Sequence, residues 1–144
     1  MEIVEGTDTL KLIRIMQQYN NQAIFKWTKA TNHNLGISPI LVLAELKHKG
    51  PQKQTELAHT LGYTPGALTN IANKLIVQEL AERIYDQNDR RSVIMKITDK
   101  GRQVLQESET KGHALHAELF QVLSEDELKR FLAIYEKLVN NMDV

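Results

Sequence analysis

A change of hydrophobic period in the middle of the chain constrains the fold more than any other feature. Up to about residue 80, apolar residues recur every three or four positions, which is the period of an α-helix. Residues 81–85 read as a strand, and residues 92–98 alternate, with Val93, Met95 and Ile97 on one side. Polar, turn-prone residues separate these two segments. The sequence therefore predicts several helices followed by a β-hairpin with a protruding tip.

Three predicted helices precede the hairpin. Ser38 and Pro39 suit the start of the first, which Gly50 and Pro51 end. The second covers residues 54–61 and is followed by Gly62, and Thr64 with Pro65 begins a third that runs from Gly66 to about Leu80. Two short helices joined by a tight, glycine-containing turn form a helix-turn-helix. Because a hairpin follows at once, residues 38–101 are predicted to form a winged helix-turn-helix.

Long helices are predicted on both sides of this region. Thr7 with Asp8 can cap a first helix of about 22 residues, whose apolar stripe is wider than one small core requires. Thr98 can cap a helix that extends into the 120s, and Ser124 begins a capping box before the last helix. We therefore expect one domain over residues 1–144, mainly α with a small β-hairpin wing. Residues 8–36 and 102–144 are expected to be dimerisation helices of a homodimer.

The second helix of the helix-turn-helix presents short side chains at its N-terminal end, where such helices meet the major groove. These are Thr64, Gly66, Ala67, Thr69 and Asn70. Asparagine can bridge adenine, and threonine can hydrogen-bond or touch a thymine methyl group. Lys74, one turn beyond Asn70, is expected to reach a phosphate. These residues predict an interface with double-stranded DNA.

The tip of the predicted wing carries Asp89, Arg90 and Arg91. Arginine suits a narrow minor groove, where the potential of DNA is most negative, and Asp89 can brace the Arg91 guanidinium with a bidentate pair. Although the chain has 18 basic and 18 acidic residues, residues 47–102 hold ten basic and six acidic ones. The basic excess is modest, but it lies where the DNA contacts are predicted.

With these motifs, the chain resembles the MarR family of bacterial transcriptional regulators along nearly its whole length. The matching residues are Leu57, Ala58, Thr64, Pro65, Leu75, Leu80, Arg83, Asp89, Arg90, Arg91, Ile97, Thr98, Asp99, Lys100 and Gly101. The resemblance implies a homodimer whose first, fifth and sixth helices intertwine. It also implies a palindromic operator and repression of a nearby gene until a small molecule or an oxidant releases the protein. By position, it assigns Arg91 to the minor groove, Asp89 to bracing and Arg90 to a phosphate.

Three positions depart from the family pattern. Asn88 stands where the wing usually carries arginine, so one possible phosphate contact is missing. Glu79 replaces the glycine that commonly ends the recognition helix, which is the second helix of the helix-turn-helix. The junction with the next strand is therefore expected to differ. Lys53 occupies the usual polar cap of the first helix of the helix-turn-helix. Each departure bears on DNA affinity or register and not on the fold.

Composition excludes several classes of function. The chain has no cysteine, so cysteine-based peroxide sensing and cysteine zinc sites are excluded, and release by a small ligand is favoured. It contains no phosphate-binding glycine loop, nucleophile elbow or zinc-protease motif, so we expect neither an enzyme nor a cofactor. No apolar run is long enough to span a membrane, and the acidic N-terminus does not resemble a signal peptide. The expected compartment is the cytosol.

Ligand and metal sites have weaker signals. Tyr19 and Trp27 lie on the first helix, near where ligands of the family bind, and can line an effector pocket. Membership of the dimer core is the favoured alternative for these aromatic residues. His113 and His116 have a spacing that can share a metal, but no third ligand is evident, so no metal site is predicted. A winged helix can also bind a protein instead of DNA, and this alternative function stays open.

Overall fold

The computed structural model describes residues 7–89 and 91–142, which form six helices and one small antiparallel sheet. In chain order the elements are α1 (Asp8–Ala30), α2 (Ile37–Lys49), β1 (Gln52–Lys53), α3 (Gln54–Leu61), α4 (Pro65–Val77), β2 (Ala81–Tyr85), β3 (Val93–Ile97), α5 (Asp99–Phe120) and α6 (Glu125–Asn140). No helix within the described ranges is long and apolar enough to cross a membrane. The predicted mainly helical fold with a small wing is confirmed.

The sheet has the strand order β1-β3-β2. The predicted hairpin pairs Ala81 with Ile97 and Tyr85 with Val93. β1 adds a third strand by pairing Gln52 with Met95. The sequence analysis missed β1, because a strand of two residues is too short to leave a periodic signal.

Side-chain caps begin four of the helices as predicted. Thr7, Thr64, Thr98 and Ser124 each accept a hydrogen bond from a backbone N–H in the first turn of their helix. The prediction that Ser38 caps α2 is wrong. This helix already begins at Ile37, after Gly36 with a φ of 77°, so Ser38 lies inside its first turn. Glycine fits this φ because it carries no Cβ.

The two helices of the helix-turn-helix end with the same hydrogen-bond pattern. After α3, the Tyr63 N–H donates to the Ala58 carbonyl, with Gly62 in the left-handed conformation. After α4, the Leu80 N–H donates to the Leu75 carbonyl at 2.9 Å, with Glu79 at a φ of 61°. This Schellman pattern usually contains glycine at the left-handed position. α4 therefore ends at Val77, three residues before the predicted Leu80, and Glu79 preserves the junction that glycine would make.

The start of α5 is joined closely to the end of the recognition helix. The Thr98 hydroxyl donates to the Glu79 carbonyl at 2.7 Å, and the Thr98 N–H donates to the Leu80 carbonyl at 3.1 Å. A Cβ on Gly101 would lie 2.0 Å from the Leu80 carbonyl oxygen. Only glycine allows this approach, which explains why the matching Thr-Asp-Lys-Gly segment is needed by the fold.

One hydrophobic core joins the winged helix-turn-helix to α1 and α5. Leu43, Leu57, Leu68 and Leu75 are fully buried within it. The core also includes Trp27 of α1 and Leu105 of α5. In contrast, all 16 residues of α6 are exposed. The winged helix-turn-helix of residues 38–101, called the head below, is thus packed, whereas the apolar face of the terminal helix α6 is exposed.

Candidate nucleic-acid interface

The N-terminal half of α4 presents the predicted base-reading residues on one exposed surface. Thr64, Gly66, Ala67, Thr69 and Asn70 are all exposed. The same helix buries Leu68, Ala72 and Leu75 against the core. The Thr64 hydroxyl accepts a hydrogen bond from the Ala67 N–H at 3.1 Å, so it holds the first turn in place. The helix is fixed on one side and open on the other.

Gly66 has no role in packing within the described chain, because a Cβ built on it meets nothing within 4 Å. Gly66 also lacks a positive φ that would demand glycine. Glycine inside a helix is less favourable than alanine by about 1 kcal/mol. An open surface that admits the close approach of another molecule explains its presence better than the fold does.

The side chains of Asn70 and Lys74 differ in whether they are hydrogen-bonded within the chain. Asn70 is exposed, and its amide makes no hydrogen bond with the residues that the structure describes. The Lys74 ammonium, in contrast, donates to the Leu35 carbonyl at 3.2 Å. In this conformation Lys74 holds the loop between α1 and α2, and its contact with a phosphate stays a prediction.

The wing tip is ordered by aspartate, although in a different way from the one predicted. One Asp89 carboxylate oxygen accepts a hydrogen bond from the Arg91 backbone N–H at 3.0 Å, and the other accepts one from the Ser92 hydroxyl at 3.3 Å. The predicted bidentate pair with the Arg91 guanidinium is not formed among the described residues, where each carboxylate oxygen accepts a bond within the turn. Asp89 instead fixes the backbone that carries the exposed Arg91. Arg90 lies outside the described residues.

The remaining departures from the family pattern have local explanations. Lys53 precedes α3 and makes no side-chain cap, as expected for its side chain. The Asn88 N–H donates to Asp86 Oδ1 at 3.0 Å, so Asn88 belongs to a second aspartate turn at the tip. Aspartate side chains thus accept bonds from the backbone at two places near the tip.

Two polar contacts of this surface were not found by the sequence analysis. The Arg83 guanidinium donates to Asn73 Oδ1 at 2.7 Å and ties β2 to α4. Gln54, the first residue of α3, donates from Nε2 to the Thr69 hydroxyl at 3.1 Å. Both pairs join different elements, and no spacing in the sequence could have indicated them.

A cleft of about 380 Å³ separates the helix-turn-helix from the wing. Its lining comes from the start of α3, the start of α4 and the tip of the wing, and includes Lys53, Gln54, Thr69 and Arg91. Helix α4 and the wing thus present polar groups on the same side of the head. This side can follow a groove and its flanking backbone together.

A second cavity, of about 460 Å³, lies between α1, α2 and α5. Trp27 lines it and is also buried in the core, where its Nε1 donates to the Ser108 carbonyl at 2.9 Å. Tyr19 lies beside it, with its hydroxyl 2.8 Å from Nδ1 of His116, which lines the cavity. Burial, and to a lesser extent Tyr135, raises the pKa of Tyr19. Trp27 therefore belongs to the core of the single chain and to the cavity wall together, and its place in a dimer core stays a prediction.

The two histidines of α5 do not form part of a larger group of ligands. Within residues 7–89 and 91–142, no three His, Cys, Asp or Glu side chains are placed to hold a metal ion. His113 is exposed, and His116 contacts Tyr19. Tyr19, His116 and Phe120 form an aromatic row, with the Tyr19 and Phe120 rings stacked.

Both ring nitrogens of His33, in the loop after α1, have hydrogen-bond partners. The Ser108 hydroxyl donates to the Val104 carbonyl, so it accepts from His33 Nε2 at 2.7 Å, which requires a hydrogen on Nε2. Nδ1 accepts from the Leu35 N–H at 3.4 Å. Burial, with Lys111 next in importance, lowers the pKa of His33. The folded chain therefore disfavours the charged imidazole in this loop, which Lys74 also contacts.

Comparisons with known proteins agree with this geometry. The model of the MarR family matches residues 37–93. The chain is 31% identical over 105 residues to the HTH-type transcriptional repressor MdtR of Bacillus subtilis, covering 72% of this chain and 68% of that protein. The crystal structure of YusO from Bacillus subtilis superposes with a TM-score of 0.74, at 26% identity and over 93% of each chain.

The chain is also similar in fold to a protein that was solved in complex with DNA. A mutant MarR from E. coli, solved with operator DNA, gives a TM-score of 0.69 at 24% identity over 89% of this chain and 91% of that one. At this level of identity the likeness concerns the fold alone.

Proposed function

Because the chain belongs to the MarR family, it is a DNA-binding transcriptional regulator, and we propose that it is a repressor that binds a palindromic operator as a homodimer. MdtR, its relative of 31% identity, is a transcriptional repressor. A protein of the same fold has been solved with operator DNA. The family consists of transcriptional regulators, and we propose that this chain catalyses no reaction. A DNA partner also favours the cytosol.

The observation that carries the proposal is the composition of the open surface of α4 beside the wing. Gly66 leaves room that the fold does not need, and the exposed Asn70 amide is uncommitted among the described residues. Asn70 is suited to adenine in the major groove, while Arg91 is suited to the adjacent minor groove. We propose base and backbone contacts from Thr64, Gly66, Ala67, Thr69, Asn70, Asp89, Arg90 and Arg91. Lys74 can join them only by exchanging its bond to Leu35 for a phosphate.

A homodimer explains the open apolar faces of the terminal helices. In α6, Phe131, Leu132 and Leu138 are large apolar residues that the single chain leaves exposed. In α1, Leu12 and Ile15 are exposed in the same way. A two-fold interface between residues 8–36 and 102–144 of two chains would bury both faces. The same symmetry would place two recognition helices on successive half-sites of a palindrome.

Release by a small molecule is the regulatory part of the proposal. The cavity of about 460 Å³ contacts α1 and α5, which belong to the proposed dimer region, and α2, which belongs to the head. A ligand against Trp27 and beside Tyr19 would bias how these two regions sit together. Since the chain has no cysteine, we propose a ligand and not a thiol oxidation as the signal.

The test of DNA reading compares wild type with Asn70→Ala on two duplexes. One is the duplex that the full chain retains from a random-sequence pool, and the other is a scrambled duplex of the same length. We expect Asn70→Ala to lose discrimination by about five- to a hundredfold, the range for a bidentate contact, with little change in salt dependence. Equal discrimination by both proteins would contradict the assignment of Asn70.

The same experiment addresses the alternative of a protein-interaction module. Such a module would retain no duplex from the pool. We favour DNA because the wing holds an exposed arginine on a turn fixed by Asp89, a device that suits a phosphate-lined groove.

A further inference from the structure

The hydroxyl of Thr69 is oriented by two hydrogen bonds on the surface of the recognition helix. It donates to the Pro65 carbonyl at 2.9 Å, one turn earlier in α4. It accepts from Gln54 Nε2 at 3.1 Å, from the first residue of α3. A hydroxyl has one proton and two lone pairs. Its proton and one lone pair are therefore committed within the protein.

This arrangement limits what Thr69 can read in DNA. The hydroxyl cannot donate to purine N7, guanine O6 or thymine O4 without giving up its bond to Pro65. Thr69 is nevertheless exposed, and it lines the cleft that faces the wing. The second lone pair can accept only from an amino group of adenine or cytosine, and the methyl group is the apolar part left to contact a base.

We propose, on the basis of the proposed DNA-binding function, that Thr69 recognises a thymine 5-methyl group and that Gln54 is the positioning residue that orients it. Gln54 belongs to the helix before the recognition helix and is half-buried. Its amide donates to the Thr69 hydroxyl at 3.1 Å and so fixes the side chain, which would contribute to base preference without a contact to a base. Specificity is then shared between both helices of the helix-turn-helix.

The test uses the full chain and the duplex that it retains from a random-sequence pool. Each thymine of one half-site is replaced in turn by uracil, which removes only the 5-methyl group. For wild type we expect one position at which uracil weakens binding about fourfold, the effect of one buried methyl group. A wild-type protein that binds every uracil duplex as tightly as the parent would overturn the proposal.

Two substitutions at position 69 separate the methyl group from the hydroxyl. Thr69→Val keeps a methyl group and should keep the fourfold preference for thymine, whereas Thr69→Ser keeps the hydroxyl and should lose it. Melting temperatures measured in parallel identify any loss of fold. A preference that survives in Thr69→Ser would contradict the assignment to Thr69, even where specific DNA binding persists.

Gln54→Ala tests the positioning role by a double-mutant cycle. It should reduce the preference for thymine over uracil when Thr69 is present and leave it unchanged in the Thr69→Val background, where the hydroxyl is gone. A loss of affinity that is equal for both bases and in both backgrounds would show Gln54 contacting DNA itself. The absence of retained DNA would instead refute the proposed function as a whole.

Discussion

The winged helix-turn-helix and the terminal helix α6 differ in how far the single chain buries their apolar side chains. In the head, Leu43, Leu57 and Leu75 are completely buried by neighbours in the same chain. In α6, Leu132, Leu138 and Val139 are at least half exposed. Both regions have an amphipathic pattern, so the pattern alone does not tell which faces the chain can cover by itself. The apolar residues of the head are covered within one chain, together with α1 and α5, whereas the proposed homodimer would cover those of α6.

The largest expected effect is on association. Leu132→Glu would place a charge in the proposed two-fold interface twice, because symmetry repeats the substitution. Losing two buried leucines costs about 3–6 kcal/mol, so the dimer should dissociate more than a hundredfold more readily. Sedimentation at micromolar concentration checks this, with Arg130→Glu as the control on the polar face. A dimer as stable as wild type would mean that α6 does not form the interface.

The second-largest expected effect is on the free energy of unfolding of the head. Leu75→Ala removes a side chain with 0% exposure and should lower the free energy of unfolding by about 2–5 kcal/mol. Val77→Ala, on the same helix but 82% exposed, should change it by less than about 0.5 kcal/mol. Chemical denaturation of both variants, followed by circular dichroism, measures the difference. Similar losses in the two variants would show that α4 is not packed as described.

Arg91→Ala should act on DNA binding with little effect on the fold. Arg91 is exposed, so its removal should cost less than about 0.5 kcal/mol of stability. Loss of a minor-groove contact should weaken operator binding by about 1–3 kcal/mol and reduce the salt slope by about one unit for each half-site. Titrations at several salt concentrations, with melting temperatures in parallel, measure both. Unchanged affinity at every salt concentration would refute the role given to the wing.

The smallest expected effect is the response of the head to pH. Because burial first, and Lys111 next, lower the pKa of His33, the folded state disfavours its protonation. Stability from the neutral imidazole should be complete above about pH 6.5, the pKa of histidine in an unfolded chain, and should decline as the pH falls below it. The nearby charges are Lys111 and Glu107 of α5 and Lys74 of α4.

The measurement is the free energy of unfolding between pH 5 and pH 7.5 for wild type, His33→Gln and the exposed-site control His48→Gln. His33→Gln should have a flatter profile than wild type, and His48→Gln should follow wild type. A wild-type protein that becomes more stable as the pH falls through this range, relative to His33→Gln, would reverse the assigned sign.

The parts of the fold that follow from local chemistry could be predicted from the sequence. Thr64 and Ser124 cap helices because their hydroxyls suit the free N–H groups of a first turn. Alternation predicted β3, in which Met95 and Ile97 are buried and Lys96 between them is exposed. The cap of α2 was predicted wrongly at Ser38, because Gly36, two residues earlier, already allows the chain to turn into the helix.

The parts that depend on contacts across the fold could not be predicted in this way. The bond from Lys74 to Leu35 joins residues far apart in sequence, and so does the bond from Gln54 to Thr69. Asp89 was predicted to brace the Arg91 guanidinium, and only the structure shows its bonds to the Arg91 N–H and the Ser92 hydroxyl. The residues of α4 that we propose to read DNA were named from their residue types, but the hydrogen bonds that orient them required the structure.

The central claim is that two chains, joined by their terminal helices, bind one DNA duplex with their heads. The most direct test is sedimentation of the full chain with a labelled duplex retained from a random-sequence pool, repeated over a series of salt concentrations. The account predicts two chains for each duplex, with an affinity whose logarithm falls linearly with the logarithm of salt concentration. A complex of one chain with one duplex, or no complex at low salt, would contradict it.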